Sequence, residues 1–108
     1  MATHIPEHLV SADTKARIRP RKLEQTVAIL KAVAHPVRFQ IVVVLLSGER
    51  SVGDLVDTTG IKHGQISQQL AVLKMTGILR SKRQGNRVFY SIRNKAAKEI
   101  VQSIVDKL

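Results

Sequence analysis

Four glycines, Gly48, Gly60, Gly77 and Gly85, cut residues 47–92 into pieces too short for anything but a compact run of small elements. Ser51-Val52-Gly53-Asp54 has the S-x-x-D spacing of a capping box and opens a short helix through Leu55 and Val56 that Gly60 ends. A second helix runs from about Lys62 to Thr76, with Gly77 as its C-terminal stop. Two short helices joined by a tight glycine-containing turn make a helix-turn-helix pattern. Two strand-like segments follow, Ile78 to Lys82 and Arg87 to Ile92, linked by Gln84-Gly85-Asn86. The second alternates Val88, Tyr90 and Ile92 against Phe89 and Ser91, so one of its faces can be buried.

The flanks supply three more helices. Pro20 stands where a helix can begin, and Leu23, Val27, Leu30, Val33 and Ala34 then recur at helical spacing. His35-Pro36 closes that helix and starts another. Ile41-Val42-Val43-Val44 favours strand by local propensity, but a continuous apolar run also suits a buried helix, and helix is the expectation here. Asn94 can cap a last helix, in which Ala97, Val101, Ile104 and Leu108 recur at steps of four, three and four. The fold expected is mostly α with a small β-hairpin: a winged helix-turn-helix of about five helices and a two-stranded wing. Residues 20–108 form this domain, and residues 1–19 an N-terminal arm that is flexible or associated with a dimer.

Charge narrows the choice of partner. The 108 residues carry 18 Lys and Arg against 8 Asp and Glu, a net +10, and from Thr58 to Lys98 there is no acid at all. A segment so uniformly positive favours a polyanion, because binding one releases condensed counterions. Cysteine is absent, which excludes disulfides, thiolate metal sites and thiol redox sensing. No apolar stretch is long enough to span a bilayer, and no secretory signal is evident, so a cytoplasmic protein without a membrane partner is expected. The few acids are scattered and no histidine, acid and nucleophile have usable spacing, so an enzyme is not expected.

With Ile66, Leu70 and Leu73 turned inward, the opposite face of the second helix carries Gly64, Ser67, Gln68 and Ala71, flanked by His63 and Gln65. This face is small and polar and lacks the Glu–Lys pairs of an ordinary solvated helix. Small residues let a backbone approach a groove, while Ser67 and Gln68 can hydrogen-bond base edges. Free N–H groups at the helix start, with Lys62, suit phosphate. Lys82, Arg83, Asn86 and Arg87 cluster at the hairpin tip, where a cation reaches phosphate or a minor groove. Residues Lys62 to Ile92 are therefore the expected contact with double-stranded DNA.

Three segments together resemble the ArsR/SmtB family of bacterial repressors: Leu30 to Arg38 with its Ala34-His35-Pro36-Val37-Arg38, then Ile66-Ser67-Gln68-Gln69-Leu70, then Lys82 to Ile92 with its glycine-containing wing. The resemblance implies a homodimer on a palindromic operator, with base readers at His63, Gly64, Ser67 and Gln68. It places the dimer interface on the first and last helices, at Leu23, Val27, Leu30, Ala97, Val101, Ile104 and Leu108. It also implies repression relieved by a ligand, often a metal ion. Yet Ser51-Val52-Gly53-Asp54 stands where a Cys-x-Cys pair is frequent, and Asn94, Ala96 and Lys107 where Asp and His ligands are frequent, so neither familiar metal site is expected, and no cofactor. The inducer is not identified. Two alternatives stay open: a metal-responsive repressor using His4 and His8, spaced i, i+4, where His4 stands third from a free amine once Met1 is removed and with backbone nitrogens suits copper(II) or nickel(II), and a winged helix that binds an acidic protein.

Overall fold

The computed structural model describes residues 17–108, which form α1 (Pro20–Val33), α2 (Pro36–Leu45), β1 (Arg50–Ser51), α3 (Val52–Thr59), α4 (His63–Met75), β2 (Leu79–Gln84), β3 (Arg87–Ile92) and α5 (Lys95–Asp106). The N-terminal arm expected over residues 1–19, with His4 and His8, lies almost wholly outside the described residues.

Local chemistry sets most of the boundaries. Pro20 and Pro36 each stand at the first turn of a helix, where a missing N–H costs nothing. His35 caps α2: its Nδ1 accepts from Val37 N at 3.1 Å and from Arg38 N at 3.5 Å. Gly60 ends α3 at φ 72°, a left-handed conformation that a side chain would strain. Asn94 Oδ1 accepts from Ala97 N at 2.9 Å and starts α5. The apolar stretch Ile41–Val44 lies within helix α2 in spite of its β-branched residues, because Ile41, Val42 and Leu45 are all buried among other helices.

Ile41, Leu55, Ile66, Leu70, Leu73, Ile78 and Leu79 are fully buried and form one core with Val42 and Val101. Each such aliphatic side chain contributes roughly 1.5–3 kcal/mol of transfer free energy, so the core is what fixes α4 on α2 and α3. Between Gln84 and Arg87, paired across the end of the hairpin, only Gly85 and Asn86 form the loop. Gly85 has φ 63°, which a two-residue hairpin turn needs at its first central position.

The wing sheet has three strands rather than the two expected, in the order β1-β3-β2, all antiparallel. The added strand is Arg50–Ser51, which pairs with Tyr90 and Phe89 of β3. A two-residue strand carries no periodicity of its own; it exists because β3 offers it a partner. It ties the root of the wing to the start of α3. No single helix among the described residues is long and apolar enough to cross a membrane.

Candidate nucleic-acid interface

Burial orients α4 unambiguously. Ile66, Leu70 and Leu73 face the core, while Lys62, His63, Gly64, Gln65 and Gln68 are exposed and Ser67 is half-exposed. Lys62 is the N-cap residue, and its side chain makes no capping hydrogen bond. The first turn of α4 holds no acid either. Its leading N–H groups therefore face solvent, unshared by any side chain, with the positive end of the helix dipole behind them. A Cβ built on Gly64 would meet nothing within 4 Å, so the missing side chain leaves the backbone open to a groove. Ser67 Oγ lies 3.4 Å from His63 Nδ1, one turn away on the same face.

The wing residues are less uniform than a cluster of four polar side chains implies. Successive cross-strand pairs of a sheet project to opposite faces, so Lys82↔Phe89 and Gln84↔Arg87 share one face while Arg83↔Val88 takes the other. On the first face Lys82 and Arg87 have partners, whereas Arg80, nearer the root, is exposed and in neither ion pair. Lys82 Nζ is 3.3 Å from Glu49 Oε2. Arg87 Nη2 donates to Ser51 Oγ at 2.8 Å, stands 3.5 Å from Asp54 Oδ1, and its guanidinium lies 5.0 Å from the centre of the Phe89 ring. Arg83 and Asn86 are exposed and belong to neither ion pair. Glu49 and Asp54 both precede the acid-free stretch, which is why that stretch read alone did not reveal these contacts.

Ser51 and Asp54 form the reciprocal capping box that their spacing predicted. Asp54 N donates to Ser51 Oγ, and Ser51 N donates to Asp54 Oδ2, each at 3.1 Å. The Ser51 backbone N–H, then the Ser51 hydroxyl, hold the Asp54 carboxyl below its ordinary value, with the charges of Arg87 and Arg50 acting in the same direction. Ser51 is the one buried polar residue among those described, and its hydroxyl serves both the α3 cap and Arg87.

The residues expected at a dimer interface divide into two groups. Ala97 and Val101 are fully buried within the protomer and leave nothing for a second copy to touch. They sit on the side of α5 that completes the core, a distinction that a repeat of four and three residues does not draw. Leu23 and Val27 are half-buried, and Leu30, Ile104 and Leu108 are exposed. No group of three or more His, Asp or Glu residues is placed to hold a metal ion among the described residues.

An exposed, acid-free helix start beside a basic three-stranded wing defines a winged helix-turn-helix of the nucleic-acid-binding kind. Residues 35–81 match the family described as bacterial regulatory protein, arsR family. The chain is 37% identical over 83 residues to the HTH-type transcriptional regulator YgaV of Escherichia coli, an alignment covering 75% of this chain and 83% of that one. Its fold is similar to that of the transcriptional repressor BigR from Xylella fastidiosa, with TM-score 0.77, 33% identity, and coverage of 82% of this chain and 90% of the other. It is also similar to a homodimeric winged helix-turn-helix DNA-binding domain from Mycobacterium bovis, with TM-score 0.70, 29% identity, and coverage of 92% and 91%. The chain belongs to the arsR family of bacterial regulatory proteins.

Proposed function

We propose that this chain is a homodimeric transcriptional repressor that binds a palindromic DNA operator through α4 and the wing. The observation that carries the reading is the outward face of the first two turns of α4: exposed, free of acids, uncapped, and small at Gly64. Seated in a major groove, this face brings Gln68 and Ser67 to base edges, with His63 and Gln65 beside them. Lys62 and the free N–H groups meet a flanking phosphate, and the Arg83–Asn86 tip of the wing meets the backbone or minor groove further along. A second copy docks on the apolar surface left by Leu23, Val27, Leu30, Ile104 and Leu108, so that two α4 helices address half-sites about one DNA turn, roughly 34–36 Å, apart. Residues 20–108 are the unit that does this. The similarity to a repressor and to a homodimeric DNA-binding domain supports the same reading.

Selection of bound sequences from random duplexes, followed by anisotropy titrations across a salt series, tests it. A two-fold symmetric consensus and a steep fall in affinity with salt are expected. Gln68→Ala narrows discrimination at one base pair by about 1–3 kcal/mol, whereas Arg83→Ala weakens all duplexes alike and lowers the salt slope by about 1. Binding without a preferred sequence, or without salt dependence, removes the proposal.

A further inference from the structure

Arg87 stands at the wing tip in sequence, yet its guanidinium is turned back onto the body of the protein. It donates at 2.8 Å to the hydroxyl of Ser51, which is buried and belongs to β1, 36 residues away in the chain. The same nitrogen faces the Asp54 carboxylate at 3.5 Å, and the Phe89 ring lies against the group at 5.0 Å. An isolated surface ion pair contributes little. This contact is different, because its central acceptor is a buried hydroxyl already fixed by the α3 cap, and its aromatic neighbour pairs directly with Ser51 in the sheet. Lys82, on the same face, makes an exposed ion pair with Glu49, the residue just before β1, without a buried acceptor of this kind. The two salt bridges among the described residues thus both run from the outer face of the wing to acids that flank β1.

We infer that Arg87 is a positioning residue rather than a phosphate ligand: Ser51 and Asp54 hold it so that the wing keeps a fixed angle to α3 and α4, and Arg83 is the cation that the tip of the wing offers to DNA. The inference rests on the DNA-binding reading for its consequence, though not for its geometry. Arg83 suits the part because it projects from the opposite face of the hairpin, the face that at its root carries Leu79 into the core beside α4. A wing held at one angle places that cation without a search for the right orientation, so the affinity gained is of preorganisation and not of charge.

The two roles separate by experiment. A phosphate-binding arginine contributes about one unit to the slope of log affinity against log salt, and a strut contributes none. In the full-length protein, Arg87→Ala and Asp54→Asn are each expected to weaken binding to the selected duplex about three- to tenfold with the wild-type slope, and the double variant to be no weaker than either single one. Asparagine keeps an oxygen for the Ser51 N–H, so α3 stays capped, and a merely structural role would lower the melting temperature without this coupling in the affinity of the folded protein. Arg83→Ala is expected to lower the slope by about one. In DNA-free protein, amide hydrogens of residues 84–88 should exchange about fivefold faster in both Arg87→Ala and Asp54→Asn. A slope reduced by Arg87→Ala, tighter binding by Asp54→Asn, or wing exchange unchanged in both variants overturns the inference. Should the wild type bind no duplex, the functional reading falls, while the exchange measurement still decides whether Arg87 braces the wing.

Discussion

The helices α3 and α4 begin on either side of Gly60, and their first turns are built in opposite ways. At α3 the protein satisfies itself: Ser51 and Asp54 exchange hydrogen bonds, and an acid sits at the positive end of the dipole. At α4 it does neither. Lys62 provides no cap, no acid occupies the first turn, and a cation stands where the helix dipole disfavours one. Both helices pack on the same core, so the contrast is not one of burial. A helix start left incomplete beside one that is complete leaves room for negative charge from outside the protomer, and in the proposed docking a DNA phosphate supplies it.

The largest break in that comparison comes from removing the complete start. Ser51→Ala deletes the acceptor for Asp54 N and for Arg87 together. It should lower folding stability by about 1–2 kcal/mol, measured by denaturant or thermal unfolding. The salt slope for DNA should stay near that of the wild type, since no phosphate-facing cation is lost. A stable variant with a reduced slope would mean that the α3 start, and not only α4, faces the duplex.

Lys62→Ser converts the incomplete start into a complete one. A serine at that position can accept from the first-turn N–H groups and should stabilise the fold by about 1 kcal/mol. The same change removes a cation and occupies a donor that the proposed docking gives to phosphate, so binding should weaken and the salt slope fall by about 1. Gain in stability with loss of affinity is the signature of a position kept for function. Unchanged affinity would reduce Lys62 to an ordinary surface residue.

The contrast also shows what could be read before the fold was known. The capping box, the Gly60 stop and the Asn94 cap are legible because each is decided within a few residues of itself. The inward set Ile66, Leu70 and Leu73 is legible because its period is that of a helix. The β1 strand and the partners of Lys82 and Arg87 are not, since Glu49, Ser51 and Asp54 lie far from the wing in sequence and reach it only through sheet pairing. Ala97 and Val101 show the same limit from the other side. An apolar stripe on α5 says that something covers it, and only packing says whether that is the protomer's own core or a second chain.

The finest distinction within α4 concerns Gly64. A glycine in a helix interior costs about 0.5–1 kcal/mol relative to alanine and less in the first turn, where Gly64 stands as the second residue of α4, and nothing lies within 4 Å of where its Cβ would be. Sterics inside the protomer therefore give no reason for it. Gly64→Ala should raise stability by at most about 0.5 kcal/mol in thermal unfolding, with the fold intact. If the bare backbone is there to approach a groove, the same methyl group should weaken binding to the selected duplex, and a bulkier Gly64→Val should weaken it more. Both variants binding as the wild type does would leave the glycine without a role in DNA approach, and the docking of α4 would have to be turned so that Gln68, rather than Gly64, lies nearest the bases.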